Sequence, residues 1–362
     1  MGFTPLDSDH CVYVRHHGDE VMYIILYVDD LLLIGSSLAE VKQLKEDLSS
    51  RFEMTDLGEA EYVLGIQLSR DRRLRTLSLS QSDYIRRLLE RFGMSNCNAA
   101  PTPIAVGVRL TKEDCPTSKP AEPLLVDGKH TYASVVGAIM YAMLGTRPDL
   151  AFAIGQLTRF NSNPGPQHVA ALKRVLRYLR SSINFELTYG AGSSGSSGSS
   201  GRSDAKLAVL GYCDSDWGAS IDDRRSVSGT VFTIAGGAVT WQAQKQKSVA
   251  LSTVEAEYMA ACQAAKDAVW LRAFLVGLGL KASAPTSILC DSQGAIALAK
   301  NPEHHQRSKH IDLRYHFVRE QVTGGAIALV YTSTSDMAAD QLTKPLSRDV
   351  HNRCIRSMGL RW

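Results

Sequence analysis

A stretch made only of glycine and serine constrains the fold of this chain more than any other feature. Residues 192–201 read Gly-Ser-Ser-Gly-Ser-Ser-Gly-Ser-Ser-Gly, so no side chain there can be buried in a core. Such a segment behaves as a coil that spans roughly 15–20 Å, and it is either a natural loop or an inserted linker. We therefore predict two separately folding halves. The predicted segments are a first domain at 1–190, a linker at 191–204, a second domain at 205–346 and a C-terminal helical tail at 347–362.

Composition and charge exclude several classes of protein. The 40 basic residues are nearly matched by 37 acidic ones, so a nucleic-acid interface has to be sought in local clusters. The seven cysteines never form a Cys-x-x-Cys pair, which argues against a disulfide framework and a zinc site and suits a reducing compartment. No apolar run approaches the roughly 20 residues that a membrane helix needs, so we expect no membrane partner.

The second half alternates strand-like and helix-like patterns. Three strands are predicted first, the last two linked through a Gly-Gly pair that favours a hairpin. A long helix is predicted from Thr253 to Gly277, and then strands and helices alternate to the end. This order predicts a mixed sheet of the α/β (α+β) class. The predicted strands are Leu207–Tyr212, Thr230–Ile234, Ala238–Gln242, Ser287–Cys290 and Ile327–Tyr331.

Four acidic residues of this half lie beside apolar segments, where a carboxylate loses hydration unless a cation compensates it. Asp214 and Asp291 are predicted at strand ends, Glu257 in the first turns of the long helix, and Asp340 in a late helix. If they converge, their repulsion calls for a hard, oxygen-seeking ion such as Mg²⁺, with Mn²⁺ as an alternative. Two such ions can activate a water against a phosphodiester.

The identity of two of these acids needs a physical argument. Ser252 and Glu255 form a capping-box pattern, which predicts a structural role for Glu255 and leaves Glu257 free to face the strands. Asp214 and Asp216 face the same side of a strand, so the spacing leaves both open.

The motifs of the second half resemble the ribonuclease H domain of copia-type retrotransposon Pol polyproteins. The resemblance implies that Asp214, Glu257, Asp291 and Asp340 are the catalytic, metal-binding acids, and that the substrate is the RNA strand of an RNA–DNA hybrid. The loop before Asp340 lacks the histidine that many ribonucleases H carry there. The matching segments are Gly211–Gly218, Asp223–Gly229, Ser252–Tyr258, Cys290–Gln293, Arg307–Asp312 and Ala339–Pro345.

The first half resembles a reverse transcriptase from its late palm through thumb and connection. Tyr27-Val-Asp-Asp30 is similar to the metal-binding turn of reverse-transcriptase palms, which implies a polymerase half-site at Asp29 and Asp30. Gly145-Thr-Arg-Pro-Asp149 is also copia-like. A palm needs a further Asp on an earlier strand, and the residues before Tyr27 contain no segment similar to that motif. We therefore expect no DNA synthesis by this chain alone, and we expect upstream polyprotein segments as partners.

Basic clusters are the candidate nucleic-acid contacts. One face of the helix predicted at Gln167–Arg180 suits phosphate groups, and a solvated helix face is the equal alternative. The histidine-rich loop lacks the spacing of a zinc site, and Trp217 and Trp241 are predicted to be core residues. The candidate contacts are Lys173, Arg174, Arg177, Arg180, Arg307, Lys309 and His310.

Two rival hypotheses accompany the hybrid nuclease. In the first, the chain is a catalytically silent remnant that only binds nucleic acid. In the second, it is a piece that is active only within a larger polyprotein. The resemblance implies a cytoplasmic retroelement particle, with the nucleus as an alternative location.

Overall fold

The computed structural model describes residues 1–18, 20–118, 124–190, 208–280, 284–300 and 309–362, with the backbone alone at 309–312. The linker predicted at 191–204 lies outside these residues. The described part contains helices together with three sheets, which confirms the predicted α/β class. None of its helices is both long enough and apolar enough to cross a membrane.

The first half contains two groups of strands separated by helices. Its strands are β1 (Thr4–Pro5), β2 (Val12–His17), β3 (Glu20–Tyr27), β4 (Asp30–Gly35), β5 (Tyr62–Val63), β6 (Ile66–Asp71), β7 (Thr76–Ser80) and β8 (Glu186–Gly190). Its α-helices are α1 (Leu38–Ser49), α2 (Ser82–Arg91), α3 (Tyr132–Gly145), α4 (Ala151–Thr158) and α5 (Pro166–Ser181). Short 3₁₀ helices occupy Lys112–Asp114 and Pro148–Leu150.

The first sheet is antiparallel and holds the predicted Asp-Asp turn. Its strand order is β1–β2–β3–β4, and Tyr27 of β3 pairs with Asp30 of β4, so the Asp-Asp pair lies at a turn between two antiparallel strands. Met22 and Ile24 share one side of β3 because alternate strand residues face the same way. They pack on Leu44 of α1.

The second half is built on a mixed sheet, as its pattern predicts. Its strands are β9 (Val209–Asp216), β10 (Val227–Ile234), β11 (Gly237–Lys245), β12 (Thr286–Cys290), β13 (Ile327–Tyr331) and β14 (Leu360–Arg361). Its α-helices are α6 (Thr253–Gly277), α7 (Gln293–Lys300), α8 (Lys309–Thr323) and α9 (Arg348–Ser357). The order is β11–β10–β9–β12–β13. Strands β9, β10 and β11 are antiparallel, whereas β12 runs parallel to β9 and β13.

The last residues of the chain complete a sheet of the first half. Strand β14 pairs with β8, with Leu360 opposite Leu187, and the sheet continues as β7, β6 and β5. Leu360 and Leu187 are buried in one cluster with Ala238 of β11. The halves thus share a core, and their separate folding stays a prediction.

Candidate metal centre

Strands β9 and β12 bring two of the predicted acids to the same edge of the mixed sheet. Leu289 of β12 pairs in parallel with Tyr212 of β9. Asp291 and Asp214 each follow two residues after this pair, so the register sets them side by side. Paired parallel strands deliver side chains to one edge, which is why residues distant in sequence meet here.

Helix α6 supplies the third acid. Ser252 caps this helix and accepts the backbone N–H of Glu255, and a Glu255 carboxylate oxygen accepts the N–H of Leu251 at 2.8 Å. Glu255 is therefore bound to the helix end, as the capping pattern predicts. Glu257 is 9 % exposed and faces the sheet, where the N–H and Oγ of Ser215 donate to its Oε1 at 3.1 and 2.9 Å.

The three carboxylates form one compact group. One oxygen from each of Asp214, Glu257 and Asp291 lies within 4.8 Å of the other two. Asp214 is only 2 % exposed, and Thr334 Oγ1 donates to Asp291 Oδ2 at 2.9 Å. Burial, and then the charge of Asp214, raise the pKa of Glu257 to about 9.

This group fits a divalent cation. Within the described residues, the buried Oε2 of Glu257 has no hydrogen-bond partner. A buried acceptor without a partner costs free energy, and so does mutual repulsion of buried carboxylates. Hard oxygen ligands at this spacing suit Mg²⁺, which would remove both costs. Asp214, Glu257 and Asp291 are therefore the residues that fit such an ion.

Asp340 reaches the group from a separate element. It lies in a short 3₁₀ helix, Ala338–Leu342, within the late helical segment that the sequence predicts, and Pro345 prevents a longer helix. Asp340 is buried beside Asp214. Burial, and then the charge of Asp214, raise the pKa of Asp340 to about 7. Asp340 is not one of the three ligand groups within 4.8 Å.

Two side chains that the sequence analysis missed hold Asp340 and Asp214. Lys344 Nζ lies 2.8 Å from Asp340 Oδ1 and 3.6 Å from Asp214 Oδ2, and Thr343 Oγ1 donates to Asp214 Oδ2. Burial works to lower the pKa of Lys344, but Asp214 and Asp340 raise it overall. The signal in the sequence was the four-residue spacing from Asp340 to Lys344, which favours an ion pair on a helical segment.

The structure gives different surroundings to Asp214 and Asp216, the two acids between which the strand spacing could not choose. Strand β9 continues through Asp216, which pairs with Val227. The prediction that the strand ends at Asp214 is therefore wrong. The prediction ended β9 too early because pairing with β10 is invisible in local sequence. Asp214 belongs to the carboxylate group, whereas Asp216 lines a neighbouring cavity.

Both halves of the chain are similar to known proteins. A family model described as reverse transcriptase (RNA-dependent DNA polymerase) matches residues 1–106. The retrovirus-related Pol polyprotein from transposon TNT 1-94 of Nicotiana tabacum is 43% identical over 98% of this chain and 26% of its own length. That from transposon RE1 of Arabidopsis thaliana is 34% identical over 99% of this chain and 23% of its own. An uncharacterized mitochondrial protein of Arabidopsis thaliana is 33% identical over 69% of this chain and 94% of its own length.

The chain belongs to the retrotransposon Pol polyprotein family. This confirms the family assignment made from the motifs. The chain spans about a quarter of the length of the two transposon polyproteins.

Solved structures show weaker likenesses. The N-terminal RNase H domain of a Mycobacterium tuberculosis protein is 14% identical with a TM-score of 0.29, over 42% of this chain and 98% of that chain. A foamy viral protease–reverse transcriptase in complex with RNA/DNA hybrid is 13% identical with a TM-score of 0.44, over 86% of this chain and 36% of that chain. Likenesses of this size do not extend to function.

The Asp-Asp pair of this Pol segment lies in an exposed turn. Val28 and Asp29 are the central turn residues between β3 and β4, and Val28 has φ of +53°, which is strained for a β-branched residue. In the described part of the chain, neither Asp29 nor Asp30 belongs to a group of three potential metal ligands.

The basic face of α5 is used mostly within the protein. Arg174 Nη2 donates to Thr102 Oγ1 at 3.0 Å, Arg177 Nε to a carbonyl at 2.7 Å, and Arg180 Nε to another at 2.6 Å. These bonds fasten α5 to residues 95–102, while Lys173 is exposed. The geometry favours a structural role for the three arginines. Of the other predicted contacts, Arg307 lies outside the described residues, and only the backbone of Lys309 and His310 is described.

A buried polar network joins the first half to the Asp340 segment. Arg147 and Asp149 are fully buried and pair through two hydrogen bonds of 3.0 and 2.7 Å. The Tyr178 hydroxyl lies 2.6 Å from Asp149 Oδ2 and 2.9 Å from His351 Nε2. Nδ1 of His351 lies 2.6 Å from Gln341 Oε1, and Gln341 Nε2 donates to the Asp149 carbonyl at 3.0 Å. The residue next to Asp340 is thereby fixed from both halves.

His351 makes the stability of the protein depend on pH. Burial lowers its pKa to about 4, against about 6.5 in an unfolded chain. Below 6.5 the unfolded chain therefore binds this proton first, and the free energy of unfolding falls as pH drops from 6.5 towards 4. We expect a loss of about 2 kcal/mol between pH 7 and 5 that is absent in His351→Gln. Urea unfolding of both proteins at the two pH values measures it. The prediction would be contradicted if the free energy of unfolding of the wild type rose, relative to that of His351→Gln, as the pH fell from 7 to 5.

Proposed function

We propose that this chain hydrolyses the RNA strand of RNA–DNA hybrids, with Asp214, Glu257, Asp291 and Asp340 as catalytic acids. Two Mg²⁺ ions, with Mn²⁺ as an alternative, are the proposed cofactor. The observation that carries the proposal is the group of three carboxylates within 4.8 Å, in which one buried oxygen lacks a partner among the described residues. Membership of the Pol polyprotein family supports a nucleic-acid substrate.

Each side chain of the site has a different proposed role. When bound, Mg²⁺ supplies Lewis-acid stabilisation of the negative charge that develops on a phosphodiester attacked by water. Asp214, Glu257 and Asp291 provide the oxygen ligands, and Ser215 orients the Glu257 carboxylate through two hydrogen bonds. Lys344 neutralises Asp340 at 2.8 Å and so limits the repulsion that Asp214 and Asp340 exert on each other.

Cleavage of a labelled RNA–DNA hybrid tests the proposal. With Mg²⁺, the wild type is expected to cut only the RNA strand and to leave RNA and DNA duplexes intact, and EDTA is expected to stop cleavage. Asp291→Asn is expected to be inactive. Asp336→Asn is a matched control, because Asp336 is exposed in the same region and lies outside the carboxylate group.

Absence of cleavage by the wild type would contradict the proposal for the isolated chain. Hybrid binding without cleavage would favour the silent remnant that only binds nucleic acid. Activity that appears only when upstream polyprotein segments are added in trans would favour dependence on the larger polyprotein. The proposed location of that polyprotein is a cytoplasmic retroelement particle, with the nucleus as the alternative.

We also propose that this chain alone does not synthesise DNA. Support comes from Asp29 and Asp30, which lie in an exposed turn and, within the described residues, join no third metal-ligand group. Primer extension on an RNA template with Mg²⁺ is expected to yield no product. Robust extension would refute this part, and a parallel Asp29→Asn protein would show whether the turn was responsible.

A further inference from the structure

A cavity of about 360 Å³ opens beside the carboxylate group, between the two halves. Its size falls within the range of ligand pockets, about 300–1,000 Å³. The first half lines it with Ile104, residues 107–110, helix α4 and Arg159, and the second half lines it with the loop between β9 and β10. Asp216, two residues after Asp214, and Pro345, which follows Lys344, also line it. The cavity therefore adjoins the proposed metal centre.

We propose, on the basis of the hybrid-cleaving function proposed above, that this cavity binds one nucleotide of the substrate. Trp217 is the platform for the base, and Arg109 and Arg224 are the contacts for the adjoining phosphates. These three residues lie outside the carboxylate group, so their proposed contacts with a nucleotide are separate from metal binding.

Trp217 has the properties of a stacking platform. The sequence analysis predicted a core residue, but its side chain is 51 % exposed and lines the cavity. Its indole N–H donates to the Ala250 carbonyl at 3.0 Å, which anchors the edge of the ring and leaves the ring itself exposed. A fixed aromatic ring binds a base at little cost in conformational entropy, and loss of such stacking weakens binding about 5- to 150-fold.

Two exposed arginines supply positive charge at the mouth of the cavity. Arg109 and Arg224 are exposed, whereas Arg159, a third arginine in the lining, pairs with Asp222 at 3.1 Å. Arg224 has φ of +56°, an unusual conformation for a residue with a Cβ. Its N–H donates to the Ser220 carbonyl at 2.7 Å, which holds that conformation. The guanidinium group is thus presented by a fixed loop.

The combination of an aromatic ring, exposed cations and one carboxylate selects a nucleotide among small ligand groups. An apolar peptide side chain would use Trp217 but not the arginines, and a bare phosphate would use the arginines but not the ring. Asp216 in the wall accepts hydrogen bonds, which suits a base amino group or a ribose hydroxyl and repels a phosphate on that side. The phosphates therefore face Arg109 and Arg224.

Binding of a fluorescent RNA–DNA hybrid tests the proposal without turnover, in the 362-residue chain that carries Asp291→Asn. Trp217→Ala, Arg109→Ala and Arg224→Ala are each expected to raise the Kd about 10-fold, and Trp217→Phe should recover most of the first loss. Trp270→Ala and Arg73→Ala are matched controls: Trp270 is 45 % exposed on α6, and Arg73 is exposed between β6 and β7. Thermal melts check that the variants fold.

A photocrosslink identifies the bound strand. Hybrids that carry 5-iodouridine in the RNA or 5-iododeoxyuridine in the DNA are expected to crosslink to Trp217 from one strand only. Cavity variants that bind as tightly as the controls, with no adduct at Trp217, would overturn the proposal. If the wild type cleaves hybrids in that case, the nuclease proposal survives alone. If cavity variants lose binding while the wild type never cleaves, the binding site survives and the nuclease proposal fails.

Discussion

Glu257→Gln is expected to abolish hybrid cleavage and, in metal-free protein, to stabilise the fold. The substitution keeps the shape of the side chain and the oxygen that accepts from Ser215, but it removes one anionic metal ligand. Loss of one such contact to a developing transition state costs on the order of 10³-fold in rate. Without metal, the amide group replaces an oxygen that is buried without a partner within the described residues. It also removes the cost of protonating Glu257 on folding, because burial and the charge of Asp214 raise the pKa of this carboxyl to about 9, so we expect a gain of about 1–2 kcal/mol at pH 7.

Two measurements separate a catalytic from a structural role for Glu257. Cleavage rates with Mg²⁺ and urea unfolding with EDTA should move in opposite directions. Glu255→Gln is the matched control on the same helix, because glutamine also serves in a capping box, and it should change neither quantity appreciably. If Glu257→Gln lowered both the cleavage rate and the free energy of unfolding, the role of Glu257 would be structural.

Asp149→Ala is expected to destabilise the protein by about 3–5 kcal/mol, since it leaves the fully buried Arg147 guanidinium without its carboxylate. Both side chains are 0 % exposed, and Asp149 also binds the Tyr178 hydroxyl at 2.6 Å. The double variant Arg147→Met, Asp149→Ala should recover part of the loss, because no unpaired charge then remains buried. Urea unfolding midpoints measure all three proteins.

The exposed pair of Arg86 and Asp83 provides the comparison. Their atoms approach to 2.6 Å, with about half of each side chain exposed, and an exposed pair contributes less than about 1 kcal/mol. Asp83→Ala should therefore cost far less than Asp149→Ala. Equal losses would show that burial does not determine the strength of the Arg147 pair.

Local sequence patterns predicted the parts of the fold that local interactions determine. Helix α6 begins after Ser252 and ends at Gly277 as predicted, because the capping box and the run of good helix formers act within the helix itself. Position beside apolar segments indicated an acidic group that includes Glu257 and Asp291, whereas the choice of Asp214 over Asp216 came from the family resemblance. That signal survives because burial of a carboxylate is costly wherever it occurs.

Tertiary contacts determined what the sequence analysis missed. The full length of β9 depends on β10, and the orientation of the α5 arginines depends on the carbonyls of residues 95–102. Arg147 is the clearest case. Arginine is almost never fully buried unless paired, and besides Asp149 the guanidinium group donates to the carbonyl and hydroxyl of Ser182, a partner that only the folding of the chain brings close.

The pairing of β14 with β8 limits how the second half of the chain can be excised. A fragment cut at the predicted edges, residues 205–346, would lack both Leu360 and the strand Glu186–Gly190 against which it lies. It would also expose Ala238, which these residues cover. An uncovered strand edge invites aggregation. We therefore expect a fragment that keeps this sheet closed, with residues from both sides of the glycine–serine stretch, to be more stable than residues 205–346 alone.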